Sequence, residues 1–296
     1  MVSLIPTAPT PYDPKSWGER VDIKRINRVR VPQLGPQRWK ALPHGSFVTM
    51  IEQAFTRHGF QLSEPNHYMS KVTNNVKIKD QSEFGKFLSM YGIAHPDLPD
   101  MGTEMSWEAA FVNSYDMTKS ARGTLGRRVF VCSNGMFSGE SGFRRKHTTG
   151  IDPDKDSTFS HIWDMLDETV KYLVPQAHAE VKRIEVYKNT PCSDDDARWC
   201  ILQAAKTGQG LGPQVIQNSG TVGVLKHWEE PEHPEFKDRN LWSLENAFTS
   251  HDRGRSLMTQ GTRMSRLSSI FDDRFGLETS ESSVGNPDNE ASAVDF

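Results

Sequence analysis

The chain has 296 residues, 35% hydrophobic and 25% charged, with a net charge of −3. That length can bury a real core in one large domain or two modest ones. No apolar run comes near the roughly 20 residues needed to span a bilayer, which argues against a membrane protein.

The start, "MVSLIPTAPTPYDPK", has prolines where a signal peptide needs a continuous apolar segment, so the expected compartment is the cytoplasm. Residues 1–45 also contain Pro32, Pro36 and Pro43 and read as a basic, extended arm that packs on the body in places. The middle of that arm, "VDIKRINRVRV", alternates well enough for one strand. "HGSFVTMIEQAFTRHGF" predicts a helix, with Ser46 as its cap, Phe47, Met50, Ile51, Ala54 and Phe55 at helical spacing, and Gly59 as its stop. "NHYMSKVTNNVKIKD" suggests a short strand or hairpin. "SWEAAFVNSYD" predicts a strand and "GRRVFVCSNGMFSG" its hairpin partner, joined by the small residues "KSARGTLG".

After "GIDPDKDST" the pattern becomes helical. Ile162, Trp163, Leu166, Val170 and Leu173 share a face, and Pro175 marks a kink or the first turn of a second helix. Ser193 followed by Asp194, Asp195 and Asp196 suits a helix N-terminus through capping and the helix dipole. "LGPQVIQNS" reads as one further helical turn, and "NLWSLENAFTSHDRG" as a helix inserting Leu241, Trp242, Leu244, Ala247 and Phe248 into the core. Beyond Phe271 the composition cannot offset chain entropy, so residues 272–296 are expected to form a disordered acidic tail. The fold expectation is therefore α+β: an antiparallel sheet in the N-terminal half packed against helices from the C-terminal half. Its divisions are an arm (1–45), a single core domain (46–271) and a tail (272–296).

Catalytic signatures are lacking: there is no phosphate-cradling "GxxxxGK", no "GxSxG", no "HExxH" and no "CxxC". Cys132 and His147 could pair as nucleophile and base, but alternation in "VFVC" favours a buried thiol. Cys192 and Cys200 read the same way, because an odd cysteine count at unpaired spacings is neither a disulfide framework nor a zinc site. The ten histidines match no ligand spacing, and neither a metal nor a cofactor is expected. "GTLG" and "GQGLG" lack the strand and helix context of nucleotide loops and read as turns.

Charge is unevenly distributed. Residues 272–296 hold seven acids against Arg274, a balance of −6, which leaves about +3 for the rest of a chain whose total is −3. Bases cluster in the arm (Lys24, Arg25, Arg28, Arg30, Arg38) and between Lys119 and His147 (Lys119, Arg122, Arg127, Arg128, Arg144, Arg145, Lys146). Trp17, Trp39, Tyr115, Phe137 and Phe143 flank or interleave with them. Lysine and arginine bind phosphate backbones, and aromatic faces stack unpaired bases, so the basic residues are candidate DNA contacts and Tyr115, Phe137 and Phe143 candidate stacking platforms. Charge clusters are more often solvated faces and aromatics more often core; the tail tips that balance. It ends "NEASAVDF" and resembles the acidic, phenylalanine-terminated tails of bacterial and phage single-stranded DNA-binding proteins, whose last residues, here Asp295 and Phe296, dock on replication partners.

A second resemblance covers residues 107–151 and "LWSLENAFT". Asn113 to Asp116 ("NSYD"), Arg128 to Asn134 ("RVFVCSN"), His147, and Trp242 to Thr249 resemble the pattern of a phage and plasmid-like family, domain of unknown function 932. The resemblance implies a mobile-element origin and a bacterial host cell, and assigns no chemistry. Together these features lead to a phage-encoded, non-enzymatic single-stranded DNA-binding protein serving replication, recombination or phage transcription, with a polymerase or replication protein as partner through the tail. A ring-forming single-strand annealing protein and a host-directed inhibitor that binds protein without nucleic acid are the alternatives. Oligomeric state is left open.

Overall fold

Ten consecutive residues, Met105–Ser114, are all buried, and the N-terminal half is organised around them. The computed structural model describes residues 18–32, 41–71, 84–100, 105–116, 118–129, 138–145, 157–206, 214–251 and 257–277. In chain order its elements are β1 (Glu19–Val21), α1 (Ile23–Arg28), α2 (His44–Arg57), β2 (Gln61–Leu62), β3 (Asn66–Lys71), β4 (Phe84–Ala94), β5 (Met105–Ser114), β6 (Ala121–Val129) and β7 (Ser138–Arg145), followed by α3 (Ser157–Lys171), α4 (Leu173–Asn189), α5 (Asp194–Ala205), α6 (Thr221–Glu229), α7 (Leu241–His251) and α8 (Leu257–Phe275). All described strand pairs are antiparallel, in the order β1-β3-β4-β5-β6-β7, with β2 added on β4. The α+β layout expected from the sequence is the one found.

Helices α2, α3 and the start of α4 cover one face of the sheet, where Phe47, Ile51 and Phe55 meet Phe87, Phe111, Leu125, Ile162 and Leu166. α4 then leaves the sheet, and its Ile184 and Tyr187 join α5 to α8 in a second core around Trp228, Leu244 and Phe271. The opposite sheet face carries a smaller apolar group, Tyr68, Leu88, Met90, Ala110 and Val112. Strands buried on both faces do not alternate cleanly in sequence, which is why β4 is not apparent from periodicity.

Several local expectations hold. α2 ends at Gly59, whose φ of +79° is open to glycine. The Gly59 and Phe60 amides bond the carbonyls of Thr56 and Phe55, and the Phe60 ring packs edge-on against Phe55, so the turn and its hydrophobic contact form together. The Ser193 hydroxyl accepts the Asp196 amide at 3.1 Å and caps α5. Pro175 lies in the first turn of α4, where its missing N–H costs nothing. Cys192 and Cys200 are buried, and burial pushes both thiols up to about 12.

Others are corrected. "VDIKRINRVRV" is not one strand: Asp22 accepts the Arg25 amide at 2.7 Å and starts α1, so only Glu19–Val21 stays extended. Ser46 does not cap α2, which begins at His44 after Pro43 without a side-chain cap. "ARGTLG" belongs to β6 instead of the connection before it. The body does not stop at Phe271, because α8 runs to Phe275, Gly276 ends it at φ +62°, and Phe275 and Leu277 pack on the second core. Cys132 and His147 lie outside the described residues, as do 278–296.

Candidate nucleic-acid interface

The connection from β5 to β6 is shaped by the "NSYD" segment. The Ser114 hydroxyl donates to the Lys119 carbonyl and accepts the Lys119 amide, each at 3.0 Å, which closes the turn. Asp116, buried, accepts the Thr118 amide at 3.0 Å and the Thr118 hydroxyl at 2.5 Å. Asn113 donates to the Leu42 carbonyl at 2.8 Å and pairs with His44 Nδ1 at 3.0 Å, which leaves Nε2–H to donate to Gly85 O at 3.2 Å. The motif is a corner that fastens the end of β5 to the first turn of α2.

That corner gathers cations. Lys86 pairs in register with Ser114, and Arg122 with Val112 two residues earlier on β5. Side chains alternate between faces, so Lys86, Ser114, Val112 and Arg122 share one face at one end of the sheet. Neighbouring strands lie about 4.8 Å apart, so β4 to β6 spans about 10 Å. Lys86 Nζ reaches Asp116 at 3.4 Å. Lys119, half-buried on the turn, has its amine held below the ordinary lysine range by burial first and then by the charges of Arg122 and Lys86, while Asp116 acts in the opposite direction. Arg144 stands opposite Arg122 on β7, and Arg145 opposite Ala121.

The arm reaches the same end. Lys24, Arg25, Arg28 and Arg30 are exposed, Arg25 pairing with Glu19. Asn27, beside Arg28, packs against Gly45 so closely that a Cβ there would lie 1.9 Å from its Oδ1. Gly45 follows His44, whose ring holds Gly85 next to Lys86. Arg128, Arg144, Arg145 and Phe143 are placed by backbone only, in β6 and β7; Arg38, Phe137, Lys146, Asp295 and Phe296 lie outside the described residues.

Two sequence-derived contacts are corrected. Tyr115 is 1% exposed, its ring lies flat on His44 at 3.8 Å, and its hydroxyl accepts the His44 amide at 2.8 Å. No base can stack there. Arg127 is 2% exposed, donates to Glu180 at 2.5 Å and Glu245 at 2.8 Å, and lies over Trp242 at 4.7 Å. Glu180 also binds Arg183, which donates to Ser268 at 3.0 Å. Two guanidiniums therefore meet two carboxylates inside the second core, joining β6 to α4, α7 and α8. The later "W-x-L-x-NA-x-T" motif is equally structural: Trp242 takes Arg127, Asn246 donates to the Trp242 carbonyl at 2.8 Å, and Thr249 to the Asn246 carbonyl at 2.9 Å.

Lys86 and Asp116 belong to the cationic corner without having been singled out as site residues. Each acid of the aspartate run has a local partner: Asp194 accepts Trp228 Nε1 at 2.9 Å, Asp195 pairs with Arg198 at 3.2 Å and Asp196 with Arg274 at 2.6 Å. Among the described residues no group of three or more His, Cys, Asp or Glu side chains is arranged to hold a metal ion. A serine–histidine pair exists, Ser89 to His67 Nδ1 at 2.9 Å, but both side chains are buried, and burial, with the Arg20 charge behind it, lowers His67 to about 4. Such an imidazole is a poor general base near neutral pH. No described helix is long and apolar enough to cross a membrane.

The fold and this corner define an antiparallel α+β protein with a cationic sheet end. Comparison with protein-family models, curated proteins and solved structures finds no match, so the reading rests on the residues themselves.

Proposed function

We propose that this chain is a phage-encoded, non-enzymatic protein that binds single-stranded DNA through the phosphates, at the sheet end formed by Lys86, Lys119 and Arg122 and extended by Arg144 and α1, whereas Arg145, opposite the buried Ala121, falls on the other face. The observation that carries the reading is the placement of the β4 and β6 cations, Lys86 and Arg122, on one sheet face beside the Lys119 turn. Backbone phosphates are the common ligand of such a surface. A groove of duplex DNA is ordinarily entered by a helix or a β-ribbon, whereas α1, half of whose six residues are basic, is under two turns long. A flexible single strand can wrap a corner about 10 Å across. The acidic composition of the stretch after Arg274 supports a role for it in recruiting a polymerase or replication protein.

Fluorescence anisotropy with single- and double-stranded oligonucleotides at several salt concentrations tests this. Tighter binding of the single strand is expected, with log affinity falling linearly against log salt. Absence of binding at low salt, or equal affinity for duplex, overturns it.

A further inference from the structure

Apolar side chains scattered singly over a surface need no explanation, but two on one groove do. Among the described residues three large hydrophobic side chains are exposed, Ile23, Leu202 and Val222, and the last two, at 58% and 73%, stand on neighbouring helices of the second core. Helices α5 and α6 run antiparallel. Trp228, near the end of α6, donates to Asp194 at the start of α5 at 2.9 Å, while the Val215 and Ile216 amides, shortly before α6, bond the Ala204 carbonyl near the end of α5 at 3.0 and 3.2 Å. Across the groove between the two helices Arg198 meets Glu229 at 3.9 Å. Residues three or four apart share a helix face, so Leu202, one turn after Arg198, comes level with Leu225, one turn before Glu229, and Val222 follows in the next turn. Leu225 is half-buried and packs on the second core. The three side chains form one apolar strip along the outside of the groove.

The rim of that strip is basic. Lys226, on the Val222 face of α6, and Lys206, just past α5, are exposed, and Arg266 donates to the Lys206 carbonyl at 3.1 Å, which brings a guanidinium to the same end. At the other end the acids Asp195 and Glu229 both pair with Arg198. An apolar strip rimmed by cations suits an acidic segment that carries a few large apolar side chains.

This chain contains such a segment. Beyond Leu277 the sequence continues for 19 residues with the acids Glu278, Glu281, Asp288, Glu290 and Asp295, no base, and Val284, Val294 and Phe296 as its large apolar residues. The described chain ends beside the groove: Leu277 packs on the same core, and Arg274 binds Asp196 at 2.6 Å and lies over Trp199 at 5.1 Å, both on α5. Leu202 is about 9 Å further along that helix than Asp196, at 1.5 Å per residue. Nineteen residues reach about 60 Å when extended, so the segment can return to the groove, and tethering gives it an effective concentration in the millimolar range, at which a weak contact is occupied.

We propose that the Leu202–Leu225–Val222 strip is an intramolecular docking site for residues 288–296 of the same chain, with Val294 and Phe296 covering the strip and Asp288, Glu290 and Asp295 meeting Lys206 and Lys226. The body then holds the acidic segment until a protein that binds this segment competes for it. The docking goes beyond the DNA reading, and its test involves no DNA, so either can fail without the other.

The test digests the full chain under native conditions with a glutamate-specific protease, follows cleavage after Glu290 by mass spectrometry, and measures the mass in solution by light scattering. Leu202→Gln combined with Val222→Gln is expected to speed that cleavage about tenfold, the ratio that docking for nine-tenths of the time gives when cleavage tracks the open population. Lys226→Glu, a single change at an exposed position, is expected to act in the same direction by a smaller factor, and it decides the matter if the double variant does not fold. Equal cleavage rates in the parent and the variants overturn the docking. A parent chain of twice the variants' mass also overturns it, because a second copy then covers the strip.

Discussion

Arg122 and Arg127 sit on the same strand, both in a segment whose bases looked like one binding surface, and the fold puts them in different surroundings. Arg122 is half-buried and faces a corner rich in lysine; Arg127 is 2% exposed and is neutralised by Glu180 and Glu245. They are an odd number of residues apart, and alternation therefore sends them to different faces. One face carries the cationic corner, while the other packs against the C-terminal helices. Composition along a strand does not distinguish an arginine on one sheet face from one on the other; parity does, once the strand is known.

The largest expected effect comes from breaking the buried end. Arg127→Met leaves Glu180 and Glu245 without their shared cation, and a buried pair broken on one side typically costs about 3–5 kcal/mol. Denaturant unfolding should show that loss, and a change under about 1 kcal/mol would mean that the network is not a structural tie. The same network predicts acid sensitivity. Burial alone would raise Glu180, but Arg183 and Arg127 outweigh it and hold the carboxyl below its ordinary value of 4.5. A group depressed in the folded state adds stability above its unfolded value and loses it as pH falls through the folded one.

A second titration separates the sheet from the helical core. His67 falls from 6.5 to about 4, chiefly through burial, so the unfolded chain binds its proton first as pH drops. Stability from this group is complete above pH 6.5 and is lost between 6.5 and about 4, roughly 3 kcal/mol in all. His67→Gln should flatten that part of the stability profile relative to the parent protein. Equal slopes for the two would show that His67 is protonated in the fold.

The sequence made the local elements legible and the long-range partners illegible. The strand in "SWEAAFVNSYD", the Gly59 stop, the Ser193 cap and the apolar face of α7 depend on residues a few positions apart. Arg127 was misassigned because its carboxylates are 53 and 118 positions away, and Tyr115 because His44 is 71 positions before it. At the corner, Lys119 and Arg122 were visible as part of a basic run. Lys86 was not, since "FGKFLSMYGIA" is buried on both faces and gives no alternating signal. The two apparent motifs, "NSYD" and "W-x-L-x-NA-x-T", turned out to secure a corner and a helix.

The smallest effect on stability is expected where the effect on binding should be clear. Arg122→Ala removes a charge from a cluster of like charges, so stability should stay within about 0.5 kcal/mol of the parent. DNA affinity should fall and the slope of log affinity against log salt should shrink by about one, the signature of one lost phosphate contact. If Arg122→Ala unfolds the protein as Arg127→Met does, the corner is held by the arginine and is not a surface kept for a ligand. If it leaves both stability and salt slope unchanged, the cations of β6 are solvated charge alone, and the odd spacing of Arg122 and Arg127 separates a buried residue from an idle one.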